Sequence, residues 1–293
     1  MSGTDRLLSD LVGQVLASSM TTHDVERADG RILRVHDSGT GSIPVLWHHG
    51  SPQTGALLQP LVDAASARDI RFLSYGRPSY GGSTPNPGRS VGSAAADVEA
   101  IMDALEIERF ATLGHSGGAM HVLACAALLP SRLLAAAPIA PLAPYSPANE
   151  HWFDGMSGGG PGLRAALLGR DAYVAWEASS EFDESSFTAL DYEVLASEWS
   201  AMGDDVGLAT AAGPEGMIDD DLAYVSPWGF EPASIRVPVL LVHGADDRVD
   251  PAAHSRWLHE EIPDSELWMR EGHGHLSILR EVPAALDWLL ARS

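Results

Sequence analysis

Five residues, Gly114-His115-Ser116-Gly117-Gly118, constrain this chain more than any others. They spell G-x-S-x-G. Before them runs Phe110-Ala111-Thr112-Leu113, apolar and strand-like; after them, residues 119–128 are rich in helix formers. A chain that leaves a strand and enters a helix within so few residues must turn sharply. A serine at that turn is lifted on a strained backbone with its hydroxyl exposed. Glycines flank it because a side chain there would collide with the adjacent strand and helix. In a chain with 29 glycines the pattern alone is weak. Its place between a strand and a helix is what marks Ser116 as a nucleophile.

Strand and helix patterns alternate through most of the remaining sequence. Apolar or β-rich runs at 31–36, 44–48, 70–75 and 133–139 read as strands. Residues 56–67 read as a helix, with Pro60 tolerable only near its first turn. Residues 91–105 carry apolar side chains at helical spacing. From Pro141 to Ser234 the rhythm is lost among aromatic and acidic residues and the run Gly158-Gly159-Gly160. It returns with a strand at 237–242, a helix at 251–261, a strand at 266–269 and a closing helix at 277–290. A further amphipathic helix is expected at 5–18. This alternation implies an α/β fold with a mostly parallel central sheet flanked by helices. Residues 1–140 and 235–293 form its core domain, and 141–234 a helical lid inserted after the sixth core strand.

A serine hydroxyl is a weak nucleophile until a base takes its proton, and the base needs an orienting acid. Both should follow strands downstream of Ser116. The strand at 237–242 runs into Gly244-Ala245-Asp246-Asp247, where Asp247 is the expected acid and Asp246 the alternative. Asp250, just before Pro251, reads as a helix cap. The loop after 133–139 carries no rival carboxylate. Gly272-His273-Gly274-His275 supplies the base; His275, just before the last helix, is favoured over His273. As metal ligands these two histidines lack a supporting cluster, so no metal is expected. The tetrahedral intermediate needs backbone donors for its oxyanion. The Gly117 amide and the Ser51 amide, in the loop His48-His49-Gly50-Ser51-Pro52, are the candidates. His48 and His49 read as structural supports of that loop.

These residues together resemble the α/β-hydrolase superfamily, in its serine hydrolase branch with an inserted helical lid. His49-Gly50-Ser51-Pro52 is similar to the H-G-x-P oxyanion loop. The stretch from Tyr75 to Ser83 is similar to D-x-P-G-x-G-x-S, Gly114 to Gly118 to the elbow, Gly244 to Asp247 to the acid turn, and Gly274-His275 to the base. Gly76 stands where relatives often have Asp, and Ser79 where they often have Gly, in a turn expected on the lid side of the pocket. A serine nucleophile departs from the haloalkane dehalogenase and epoxide hydrolase branches, which use an aspartate. Proline iminopeptidases usually carry a Trp in the elbow and an extra Gly-Pro-Gly in the oxyanion loop, both missing here.

The resemblance implies a carboxylesterase-like enzyme that cleaves a small ester or lactone through an acyl-enzyme. Amide or peptide hydrolysis, carbon–carbon bond hydrolysis and a non-catalytic ligand-binding scaffold are the alternatives. Among lid aromatics, Trp152, Phe153, Trp176 and Trp228 are candidates to line the pocket. Lid carboxylates such as Glu181 and Asp183 read as a solvated face, with binding of a substrate amine as the alternative.

Composition narrows the partners. The 293 residues carry a formal charge of −22. That charge repels phosphate backbones and anionic lipid, so neither nucleic acid nor membrane is an expected partner. A small-molecule substrate is. Cys125 is the only cysteine and sits in an apolar run, which points to a buried, inert thiol. The first residues show no secretory apolar region, and no run is long enough to span a bilayer; the expected compartment is the cytoplasm. With neither a P-loop nor a dinucleotide fingerprint, no cofactor is expected.

Overall fold

The structure, a computed structural model, describes residues 20–293. The helix expected at 5–18 lies outside the described residues. Eight strands form one sheet: β1 (Thr21–Glu26), β2 (Ile32–Asp37), β3 (Ile43–His48), β4 (Ile70–Tyr75), β5 (Phe110–His115), β6 (Leu133–Ile139), β7 (Val239–Gly244) and β8 (Ser265–Arg270). Their order is β1-β2-β4-β3-β5-β6-β7-β8. The pairings β1·β2 and β2·β4 are antiparallel, and every pairing from β4·β3 to β7·β8 is parallel. This is the α/β architecture that the alternating pattern implies.

Five core helices cover the sheet: α1 (Gln59–Ser66), α2 (Ser93–Ala104), α3 (Gly117–Leu128), α9 (Ala253–Glu261) and α10 (Val282–Leu290), with a 3-10 turn at Ser277–Glu281 leading into the last. Side chains from α2, α3 and α9 fill one face of the sheet, around Val98, Ile101, Met120, Leu123 and Leu258. Those from α1 and α10 fill the other, around Leu61, Leu286 and Leu289. Strands buried on both faces read as continuous apolar runs, and β5 and β7 are buried at every position.

Between β6 and β7 lie five α-helices: α4 (Pro161–Leu167), α5 (Arg170–Glu177), α6 (Ala189–Ala196), α7 (Ser200–Ala211) and α8 (Glu215–Tyr224). Three differences from the sequence reading have physical reasons. Strand β1 was not anticipated, because an edge strand with Val25 as its only buried residue shows no apolar alternation. The first helix begins at Gln59 so that Pro60 falls in its first turn. The closing helix is divided where Pro283 enters the first turn of α10. Among the described residues, no helix is long and apolar enough to cross a membrane.

Candidate active site

The carboxyl ends of parallel strands share one edge of the sheet, and the loops leaving that edge are where such folds place ligands. Ser116 follows β5, Ser51 follows β3, Asp247 follows β7 and His275 follows β8. Ser116 itself has φ 53° and ψ −127°. A non-glycine residue persists in such a conformation only where its surroundings hold it. Here its N–H donates to the Ile139 carbonyl at 3.0 Å, and α3 begins at the next residue. A Cβ on Gly114 or Gly118 would collide with the carbonyl of His48, so the turn can be made only with glycine on both sides.

Two hydrogen bonds link the three predicted residues. His275 Nδ1 donates to Asp247 Oδ2 at 2.8 Å, which leaves Nε2 of the neutral ring to accept from the Ser116 hydroxyl at 2.9 Å. Asp247 is fully engaged, since its Oδ1 accepts the N–H groups of Val249 at 2.8 Å and Asp250 at 3.0 Å. Burial disfavours a charged imidazole, but the facing Asp247 carboxylate, their hydrogen bond and nearby Asp250 outweigh it and raise His275 to about 9. Burial likewise opposes ionisation of Asp247, yet His275 and His243 hold its carboxyl below the ordinary range. His115 Nε2 donates to the His275 carbonyl at 2.7 Å and so fixes the backbone that carries the base.

The alternatives fall away from this line. Asp246 is exposed and its N–H bonds the His273 carbonyl. His273 Nδ1 donates to the Ser277 carbonyl at 2.9 Å. Among the described residues no three metal-ligating side chains converge. Asp250 does not cap the following helix, as the Asp-Pro pair led us to expect. Helix α9 starts later, at Ala253, and its N-cap position, Ala252, has no side-chain bond.

Ser51 and Gly117 lie together, for a Cβ on Gly117 would strike the Ser51 side chain. Neither backbone N–H donates to any described residue, so both are open to an oxyanion. The Ser51–Pro52 peptide is cis. A buried charge network holds this loop. Asp220, fully buried in α8, accepts from Ser51 Oγ at 2.7 Å, Arg77 at 2.7 Å and Tyr80 OH at 3.1 Å through Oδ2, and from Arg89 at 2.7 Å through Oδ1. Burial works against this charge, but the two arginines keep the Asp220 carboxyl well below its usual range. Arg77 also donates to the His49 carbonyl, and its N–H to His49 Nε2 at 3.1 Å. His49 thus braces the loop as expected; burial keeps both it and His48 uncharged. On the far side, Tyr224 OH and His121 Nδ1 both donate to the Gly117 carbonyl, at 3.0 and 2.8 Å.

A second buried aspartate steadies the base. Asp191, in α6, accepts the N–H groups of Leu276 at 2.9 Å and Ser277 at 2.6 Å through Oδ1. Its Oδ2 accepts the N–H of Thr188 at 2.8 Å in a capping box. Neither Asp191 nor Asp220 was found from the sequence, because their partners are remote in the chain. The Thr188-x-x-Asp191 spacing was the one local sign.

Two cavities meet at Ser116, Ser51 and Val249. One, of about 440 Å³, is bordered by Gly117, Met217, Trp176, Asp221, Tyr224 and Asp250. The other, of about 410 Å³, is bordered by His275, Phe187, Leu195, Met202, Val206 and Leu276. Of the four aromatic candidates, only Trp176 borders either cavity. Trp152 and Phe153 meet edge to face in the core, with Trp152 Nε1 bonded to the Ala143 carbonyl. Trp228 is buried with its Nε1 on the Tyr224 carbonyl. These three hold helices together because wide flat rings fill core volume. Gly76 and Ser79 also border neither cavity. Their turn instead presents Arg77 and Tyr80 to Asp220.

A mostly parallel sheet with a serine on a strained strand–helix turn, hydrogen-bonded in line to an imidazole and a carboxylate, is an α/β arrangement that can activate a hydroxyl for attack. Residues 43–282 match the family described as the alpha/beta hydrolase fold, and the chain belongs to that family of hydrolases. It is 28% identical over 277 residues to a non-heme chloroperoxidase of Streptomyces lividans, covering 88% of this chain and 95% of the relative. Among solved structures, it is similar to a bromoperoxidase from Bacillus anthracis, with a TM-score of 0.69 at 20% identity, covering 92% of this chain and 100% of the other. It is also similar to an enol-lactonase from Burkholderia xenovorans LB400, with a TM-score of 0.67 at 20% identity, covering 90% and 98%.

Proposed function

We propose that this hydrolase is a serine hydrolase that cleaves small carboxylic esters or lactones through an acyl-enzyme. One observation carries this reading: the unbroken line from Ser116 Oγ through His275 to Asp247, beside two unengaged backbone amides. Ser116 Oγ attacks the carbonyl carbon as His275 Nε2 takes its proton. The carbonyl oxygen becomes an oxyanion held by the amides of Gly117 and Ser51. The intermediate collapses, and His275 gives the proton to the departing oxygen. Water, deprotonated by the same imidazole, then attacks the acyl group and frees Ser116. Asp247 keeps the tautomer correct and stabilises the imidazolium. Residues 141–234 act as a cover over the serine, and the ligand is a small molecule held in the two cavities.

A fluorophosphonate incubated with the protein should label Ser116 and abolish ester cleavage, and Ser116→Ala should lower kcat by about 10⁴-fold or more. An active preparation that remains unlabelled on Ser116, or a Ser116→Ala variant that keeps its rate, refutes the reading. Because the Streptomyces relative is named a chloroperoxidase, peroxide-dependent chlorination is the control activity. Chlorination without ester cleavage counts against hydrolysis.

A further inference from the structure

The two cavities that meet at Ser116 differ in chemistry. The one bordered by His275 is apolar, with Phe187, Leu195, Met202, Val206 and Leu276. The other carries the carboxyl groups of Asp221 and Asp250. In the acyl transfer proposed above, on which this step rests, the imidazole returns a proton to the departing oxygen. The leaving group must therefore lie against His275. The apolar cavity then takes the leaving group, and the acidic one takes the acyl half.

Asp250 is only 6% exposed, yet its carboxyl accepts no hydrogen bond from any described residue. Only its backbone is engaged: its N–H bonds Asp247, and its carbonyl accepts from His243 Nε2 at 2.6 Å. A buried, unbonded carboxyl beside an open volume is costly until a partner arrives. Asp221 offers a second acceptor, because Tyr173 OH engages its Oδ2 at 2.7 Å and its Oδ1 has no described partner. The other charged groups bordering this cavity, Glu181, Asp183 and Arg248, are exposed at its rim. Asp183 accepts from Ser157 and Ser185, and Arg248 is exposed with its guanidinium on the Ser185 carbonyl at 3.2 Å. Burial pushes Asp221 and Asp250 each up to about 7, a direction that an approaching cation would reverse.

We propose that the acidic cavity is a cation subsite, in which Asp250 and Asp221 receive an ammonium or quaternary ammonium group on the acyl half of the substrate, while an apolar leaving group fills the opposite cavity. Asp250 supplies charge close to the reacting carbonyl, and Asp221 supplies it from α8. A neutral acyl group would leave both carboxyls without a partner.

The test uses pairs of 2-naphthyl esters of graded acyl length, each ending either in trimethylammonium or in its uncharged tert-butyl twin. The wild-type protein should cleave at least one cationic ester with kcat/KM about tenfold or more above its twin. That ratio should fall to about one in Asp250→Asn and decline in Asp221→Asn. Ratios near one at every length in the wild type, or a ratio preserved in Asp250→Asn, overturn the proposal. A readout without turnover separates it from the hydrolase reading. Butyltrimethylammonium titrated calorimetrically into Ser116→Ala should bind, and should fail to bind when Asp250→Asn is added. Binding with no ester cleavage by the wild type supports the subsite and sinks the hydrolase reading. Cleavage without a charge preference sinks only the subsite.

Discussion

In the proposed mechanism His275 accepts the proton of Ser116 only when its ring is neutral, so the charge around it sets the pH range of the reaction. Its value is raised to about 9, which places more of the ring in the protonated form at neutral pH than an ordinary histidine would have. The rate, kcat/KM, should therefore climb as pH rises through that region rather than through the usual histidine range. Asp247→Asn removes the facing charge and should shift the ascending limb to lower pH, with kcat reduced about 10³- to 10⁴-fold. A pH–rate profile of both forms checks this; a limb that stays put in Asp247→Asn would exclude Asp247 as the source of the shift. Ser79 makes a different case. It holds φ 75° and buries an unpartnered Oγ, at a place where glycine would carry neither burden. Ser79→Gly should stabilise the protein by about 1 kcal/mol, read as a rise in Tm with kcat/KM unchanged. At this scale the hydrogen-bonded line of Ser116, His275 and Asp247 was legible, because each residue follows a strand within a few positions. Asp250 was misread because an Asp-Pro pair looks the same whether or not a helix starts on it.

Among elements, α6 and α8 bear on the site although neither supplies a reacting atom. Asp191 ties α6 to the loop after His275, and Asp220 ties α8 to the loop of Ser51. Asp220→Ala leaves Arg77 buried without a carboxylate, while Arg89 keeps Asp219, and should cost about 3–5 kcal/mol, measured by urea unfolding. Asp191→Ala frees two buried N–H groups and should cost about 2–4 kcal/mol, with kcat falling more than KM rises because the base is set loose. Equal kcat in Asp191→Ala and wild type would show that the histidine loop holds itself. The core elements were legible because burial on both faces leaves a continuous apolar run, as in β5 and β7. Within 141–234 the helices were not separable, since α6, α7 and α8 face both the core and solvent. Which of their aromatics reach the cavities depends on rotations about helix axes that no local pattern records.

For the molecule as a whole, one sheet edge gathers four loops from distant parts of the chain, and helices between β6 and β7 bond to two of them. The alternation of strands and helices was enough to place that edge. It was not enough to show how those helices are fastened. The fastening has a consequence for how substrate arrives. If these helices cover the serine as proposed, bonds to the loops of Ser51 and His275 should keep that cover from swinging aside as a stiff flap while those loops stay in working order. Substrate should then pass through standing openings, one molecule at a time from solution. Esters presented as droplets or micelles should then gain nothing over dissolved ones. The rate should level off with dissolved concentration and show no jump at the solubility limit, the behaviour of an enzyme that has no use for an oil–water boundary.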